Sequence, residues 1–308
     1  MNYVFGPVPS RRLGRSLGVD LVPFKTCSFD CIYCQLGPTT CKTAEFQEGP
    51  PLDEVVAQVA ARLESKPDYL TLSGSGEPTL YAHLAELALR LKTLTDVPVA
   101  VLTAGPLLWN PDVRKALLPS DLVIPSLDAG DEATFKIVNR PHESLNFKQM
   151  VEGLADFRKE FSGQFWLEVM VLAGLTDSEE TMTPVAELAR RIGPDRVQLN
   201  TATRPTACET ARPVAPDRLT RLAELFSPAA EPIADYQGTH QAVEFAGERQ
   251  AVLELLQRRP CTLADVAEGL GLHLNQATKH LEELVAEGKA EEIARDGHVY
   301  FRVRKQAK

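Results

Sequence analysis

Three cysteines stand within eight residues, in the run Cys27-Ser-Phe-Asp-Cys31-Ile-Tyr-Cys34. Three thiolates on one tight loop can hold three corners of a cubane iron–sulfur cluster, one cysteine to each iron. The fourth iron then has no protein ligand. An open metal position is what substrate-binding sites keep and structural sites close. A zinc site is the competing reading. Zinc takes four ligands in paired Cys-x-x-Cys spacing, and no fourth cysteine or histidine is near except Cys41. Cys41, Cys208 and Cys261 are irregularly spaced, and each reads as a free buried cysteine, not as a ligand of a second cluster. In a chain of 308 residues the group points to metal binding or catalysis and away from a disulfide framework.

Such a loop needs a scaffold, and the flanking pattern supplies one. Strand-like runs at 16–24, 68–73, 98–103, 121–128, 164–174 and 196–200 alternate with helix-like runs at 52–65, 79–94, 110–118, 146–161, 178–192 and 216–226. Asn110 before Pro111 reads as an N-cap and first helical position, and Ser178 precedes two glutamates of a first turn. Six strand-then-helix units predict an α/β fold with a parallel sheet and right-handed crossovers. Six are too few for a closed eight-fold barrel, so the expected architecture is an open, partial (β/α)6 TIM-like barrel. Ligands of such sheets sit beyond the carboxyl ends of the strands. The cysteine loop follows the first of these strands.

Residues 227–247 mix Pro, Gly and Ala and read as a linker between a barrel of residues 1–226 and a small domain of residues 248–308. Beyond the linker, helical runs at 248–259, 262–271 and 274–289 precede a hairpin at 291–304 with an Asp296–Gly297 turn. Three helices and a two-stranded wing make the winged-helix form of helix-turn-helix.

Other polar residues fall at the expected strand ends. Ser73-Gly74-Ser75-Gly76-Glu77-Pro78 follows the second strand, and successive amides of a glycine-rich turn make an anchoring concavity. Ser126 and Asp128 are two apart at the fourth strand and share a face, where a hydroxyl and a carboxylate can bond a ribose diol. Asp128 or Asp131 capping a helix is the plainer alternative. Glu168 and Asn200 lie on the fifth and sixth strands. A carboxylate in an apolar strand is costly unless paired or facing a cavity, so both are candidate cofactor or substrate contacts. Arg204 and the pair Arg11 and Arg12 suit bidentate recognition of a substrate carboxylate or phosphate. For Arg12 and Arg15 a solvated surface position is the competing reading, and Lys25 is left undecided.

The cysteine loop resembles that of the radical S-adenosylmethionine (SAM) superfamily, a resemblance that covers about residues 3–205. It implies a [4Fe–4S] cluster on Cys27, Cys31 and Cys34. SAM would bind the open iron and be reductively cleaved to a 5′-deoxyadenosyl radical that abstracts hydrogen from a substrate. Tyr33 matches the aromatic position near the adenine. Gly74 to Glu77 match the family's GGE turn, with Ser75 departing from it, and Thr103-Ala104-Gly105 resembles a Thr-Asn-Gly turn, with Ala104 departing from it. Ser126, Asp128 and Glu168 are implied as further cofactor contacts. The runs FGPVPSRRLGRSLGVDL and KTCSFDCIYCQLGPTT are similar to a group of iron–sulfur oxidoreductases related to wybutosine-type tRNA-modification enzymes. A low-potential electron donor of flavodoxin or ferredoxin type is implied as partner.

The composition fits a packed globular protein, with 44% hydrophobic and 24% charged residues. No apolar run reaches the length of a membrane span and no signal-peptide core opens the chain, so a soluble, cytoplasmic protein is expected. A net charge of −9 disfavours uniform attraction to nucleic acid or acidic membranes. The small domain carries ten basic and ten acidic residues. Asn275, Gln276, Thr278, Lys279 and His280 would line its recognition helix, but Glu282, Glu283 and Glu287 repel phosphate. Docking of a partner or of the substrate, an RNA base or a peptide or protein, is favoured there over sequence-specific DNA binding. The rival from another class is a redox-sensing DNA-binding regulator whose cluster reports oxidation state. It has no need of the strand-end motifs.

Overall fold

The order of strands in the main sheet is β1-β2-β5-β6-β7-β8-β9-β10. In chain order these are β1 (Val4–Ser10), β2 (Gly14–Asp20), β5 (Tyr69–Ser73), β6 (Val99–Thr103), β7 (Leu122–Pro125), β8 (Gln164–Val171), β9 (Arg196–Thr201) and β10 (Glu231–Pro232). A minor parallel pair, β3 (Thr26–Cys27) and β4 (Cys41–Lys42), sits in the cysteine loop. The computed structural model describes residues 2–10, 12–233, 249–295 and 297–304. From β2 to β10 every pairing is parallel, and β1 is antiparallel to β2. β2 and β5 to β9 are the six expected strands, and they form the partial barrel.

The helices α1 (Leu52–Arg62), α2 (Leu84–Leu94), α3 (Pro111–Leu117), α4 (Glu132–Val138), α5 (Phe147–Glu160), α6 (Glu179–Ile192) and α7 (Pro216–Ala223) accompany the strands. Their apolar stripes meet the sheet: Val55, Leu87, Leu117, Leu154, Phe157 and Val185 are buried in one cluster with Leu72, Val101, Val123, Val169 and Leu199. A smaller cluster of Leu13, Ala100, Leu122, Ile124 and Trp166 joins the β1–β2 turn to the early residues of β6, β7 and β8. Local chemistry sets several helix starts. Asn110 accepts from the Asp112 amide at 2.9 Å with Pro111 in the first turn, and Ser178 forms a capping box with Thr181. Asp131, not Asp128, caps α4, accepting from the Thr134 amide at 2.8 Å. Asp128 is thereby left for the site.

Three expectations change. β1 lies before the first expected strand, where Pro7 and Pro9 obscure the strand signal; β10 falls within the stretch read as a linker. The helical run expected over 79–94 begins at Leu84, because Pro78–Leu80 is a separate 3-10 turn.

The second unit comprises α8 (Arg249–Arg258), α9 (Leu263–Leu270), α10 (Leu274–Ala286) and the antiparallel wing β11 (Ala290–Arg295) and β12 (His298–Val303). The expected turn residue Asp296, and residues 234–248 of the expected linker, lie outside the described residues. This unit has its own core, including Val252, Leu255, Val266, Leu281 and Leu284, on which Val8 of β1 packs. It touches both edges of the open barrel. On one side Arg258 reaches Asp20 and Ser75, and Asn2 Nδ2 donates to Glu254 at 3.0 Å. On the other, Arg204 pairs with Asp265 at 3.0 Å, Tyr300 donates to the Thr203 carbonyl and Arg295 to the Ala211 carbonyl, both at 2.8 Å.

Candidate functional site

The cysteine loop is held by its neighbours' backbone. Asp30 and Ile32 amides donate to the carbonyls of Asn139 and Val138, and the Cys34 amide to the Cys31 carbonyl. Two cationic or amide donors aim at the sulfurs: Lys25 Nζ lies 3.0 Å from Cys34 Sγ, and Asn139 Nδ2 lies 3.6 Å from Cys31 Sγ. Burial pushes the Cys27 thiol up to about 12, with Glu77 adding to the shift, and burial also pushes Cys31 well above its ordinary value. Thiolates in so dry a loop need a positive partner, which an iron centre provides. Ser28 Oγ beside Cys27 and Asn139 Oδ1 beside Cys31 are buried without a hydrogen-bond partner, leaving polar capacity at the loop for a ligand. Among the described residues no three His, Cys, Asp or Glu side chains converge closely enough for a single ion. A cubane bonds each cysteine to a different iron and so spreads its thiolates wider. Three cysteines on one loop with no fourth ligand beside them are the donor set such a cluster takes. Of the other cysteines, Cys261 is buried in the second unit and Cys208 is half-buried. Cys41 is exposed, which corrects the buried position expected for it.

The glycine-rich turn is fastened to this loop. The Lys25 amide donates to the Ser75 carbonyl at 2.7 Å, and the Glu77 amide to the Thr26 carbonyl at 3.0 Å. Gly74 has φ +116°, and a Cβ there would collide with the Asp20 carboxylate; a Cβ on Gly76 would collide with the Thr26 carbonyl. Ser75 donates its amide to Asp20 Oδ1 at 2.7 Å, and its Oγ accepts from Arg258 Nη1 at 2.7 Å. Glu77, at 2% exposure, turns its carboxylate inward. It accepts from the Thr79 amide and hydroxyl, the Thr103 hydroxyl and the Ala104 amide. Burial pushes Glu77 up and these bonds pull it back. Glu77 and Thr103 thus brace two strand ends.

Tyr33 and Asp128 come together: the Tyr33 hydroxyl donates to Asp128 Oδ2, as does Asn139 Nδ2 at 2.7 Å, while the Met170 amide donates to Oδ1 at 2.9 Å. Burial raises Asp128 to about 6 in spite of these donors. Ser126 bridges to the backbone of Glu168 at the end of β7. A second network joins three more expected residues. Glu168 accepts from Arg12 Nη1 at 2.6 Å and from Asn200 Nδ2 at 2.8 Å. Arg12 is largely buried in this pair, so the solvated alternative for it falls away. Arg204 is 8% exposed and engaged by Asp265, so a substrate anion would have to displace that carboxylate. Arg11 lies outside the described residues.

Sequence reasoning missed Asp20, Asn139 and Arg258, and left Lys25 undecided. Asp20 carried a signal, a carboxylate ending an apolar strand. Asn139 and Arg258 reach the site only through tertiary packing.

The Radical SAM superfamily profile matches residues 21–183, 163 of the 308 residues, and a helix-turn-helix domain profile matches residues 247–288. The chain is therefore an enzyme of the Radical SAM superfamily, with a partial barrel and a C-terminal winged-helix domain. Within that class it belongs to the UPF0026 family, being 32% identical over 310 residues to UPF0026 protein MJ1312 of Methanocaldococcus jannaschii. That match spans 98% of this chain and 96% of the relative. A 38% match to GTPase Obg of Brachyspira hyodysenteriae spans 97% of this chain but 45% of that protein, so this chain covers less than half of it. No G-x-x-x-x-G-K-[ST] phosphate loop occurs in the present sequence. The solved structure of TYW1 with a lysine–pyruvate adduct bound shares the fold, with a TM-score of 0.53 at 18% identity over 73% of this chain and 76% of that one. No helix among the described residues is long and apolar enough to cross a membrane.

Proposed function

We propose that the chain is a radical SAM enzyme whose Cys27, Cys31 and Cys34 hold a [4Fe–4S] cluster, and that it modifies a substrate docked with help from the winged-helix domain. The observation that carries this reading is the tie between the three-cysteine loop and the glycine-rich turn, made by Lys25 and Thr26. When bound, the cluster and SAM supply one-electron cleavage of a carbon–sulfur bond to give a 5′-deoxyadenosyl radical.

The chain's own residues bind and position. Lys25 and Asn139 offset thiolate charge at Cys34 and Cys31. The Gly74 to Glu77 turn, whose Ser75 and Glu77 amides are held by Asp20 and Thr26, faces the methionyl end of SAM, and Glu77 and Thr103 keep that turn in place. Tyr33, Ser126 and Asp128 form the face for the nucleoside. Asp128 is already engaged by Tyr33 and Asn139, so a ribose diol would exchange with one of those donors. Arg12 of the β1–β2 turn, Glu168 of β8 and Asn200 of β9 form a charged network placed to orient a substrate. A low-potential flavodoxin or ferredoxin delivers the electron, and the substrate is an RNA base or a peptide. The cytoplasm is the proposed location.

The test is anaerobic: reconstitute the full chain with iron and sulfide, reduce with dithionite, add SAM and measure 5′-deoxyadenosine by mass spectrometry. The product is expected from the native chain and not from Cys31→Ala. Failure to assemble a cluster with visible iron–sulfur absorption sinks the reading, as does equal product from the variant.

A further inference from the structure

A cavity of about 960 Å3 opens at the seam between barrel and winged helix, lined by residues of both. That is large enough for a small organic ligand. It touches the glycine-rich turn at Ser75 and the chain directly after Cys34, at Gln35 to Pro38. None of Tyr33, Thr103, Ser126, Asp128 or Glu168 lines it, so it is distinct from the nucleoside face described above. Arg258, Arg259, Arg302 and Arg304 line it, and Asp20 is the one acidic residue among the described lining residues. Arg258 is ion-paired with Asp20 and Arg302 with Glu291, so an entering anion competes with two carboxylates, which the four arginines still outnumber. In a chain of net charge −9 this is a local basic site, and low-dielectric walls concentrate such a field. Phe24, 55% exposed, supplies an apolar wall.

We propose that this seam cavity binds the anionic group of the substrate, a single phosphate or carboxylate carried on an apolar or planar body, so that the winged-helix domain forms one wall of the active site. The proposal rests on the radical SAM reading and names the substrate's chemical class. Arg258 links the cavity to the cofactor turn. It ion-pairs with Asp20, whose carboxylate accepts the Ser75 amide, and its own Nη1 bonds Ser75 Oγ. Its guanidinium lies 4.2 Å over the Phe5 ring, a stacking that fixes its plane. Burial lowers Arg258 to about 10, so it remains a cation at neutral pH. An anion entering the cavity meets the same guanidinium that holds the turn, and the two sites are mechanically joined.

The test uses the full chain without cluster, titrated with 1-anilinonaphthalene-8-sulfonate, an anion on a planar apolar body. Saturable binding of one probe per chain is expected. Arg304→Glu, at the exposed end of the wing, should weaken it about tenfold. Gln257→Glu on α8 should weaken it in the same direction, with both variants checked for native melting. Adenosine 5′-monophosphate and N-acetylphenylalanine serve as competitors; displacement by the first identifies a phosphate and by the second a carboxylate. Binding unchanged in both variants overturns the proposal, as does displacement by neither competitor. The same preparations, reconstituted and assayed for 5′-deoxyadenosine, separate the two claims. Product without anion binding sinks the cavity alone; anion binding without product sinks the radical reading and with it the assignment of the anion to a substrate, while the cavity's binding of anions stands.

Discussion

Glu77 is where a residue-scale change should travel furthest. Its buried carboxylate accepts four hydrogen bonds, from Thr79 of the 3-10 turn on one side and from Thr103 and Ala104 at the end of β6 on the other. Glu77→Gln keeps the shape but leaves one oxygen where there were two, and it turns an NH2 towards groups that donate. Leaving a buried donor unmet costs about 1–3 kcal/mol, so urea denaturation should show a loss of that size. SAM affinity, read by equilibrium binding to the reconstituted protein, should fall as well, because the turn's amides lose their frame. A variant as stable as the native chain would mean that these bonds do not hold the turn. The cysteines and the glycine-rich turn were legible in the sequence because their chemistry is contained in a few consecutive residues. Asn139 was not: it stands 108 residues from Cys31, and nothing in its own neighbourhood distinguishes it from a helix-terminal asparagine.

At the scale of elements, the six parallel strands were legible because each is an apolar run bounded by turn chemistry, and helix starts such as Asn110 and Ser178 carried their own caps. β1 was hidden by its prolines and β10 by its two-residue length, since a pairing that short leaves no periodicity. The junction of α9 with the segment after β9 was likewise invisible, because Arg204 and Asp265 are 61 residues apart. Burial works against the Asp265 charge. Arg204, the Thr262 amide and Arg259 outweigh it and hold the carboxyl below its usual range. The sign follows: an acid with a depressed folded value adds stability that is complete above its ordinary value near 4 and is lost as pH falls through the folded one. Hydrogen exchange in α9 and residues 203–211 should therefore stay slow from pH 7 to 5 and accelerate below about pH 4, after correction for intrinsic rates. Arg204→Met should remove much of that acid dependence. An unchanged profile in the variant would show that Arg204 does not set the Asp265 charge.

Across the whole molecule the two cores are separate, and the seam between them is mostly polar. Beside Val8 against the winged-helix core and Arg258 over the Phe5 ring, ion pairs and hydrogen bonds cross it: Arg258 with Asp20, Arg204 with Asp265, Arg62 with Glu254, and Arg295 and Tyr300 with backbone carbonyls. Charges of this kind are partly screened by salt, with a Debye length of about 8 Å at physiological ionic strength and about 3 Å at 1 M. Apolar cores are not weakened in the same way. The winged-helix unit, with the smaller core, should melt before the barrel, and the gap between the two transitions should widen as sodium chloride rises from about 0.05 to 1 M. Differential scanning calorimetry of the full chain reads both. If the seam also carries the substrate's anion, an occupied cavity should narrow the gap again, because a ligand held by both units stabilises them as one. A single transition indifferent to salt would place the cohesion of the seam in apolar packing, and the arginines of the winged helix would then lose their part in joining substrate to cofactor.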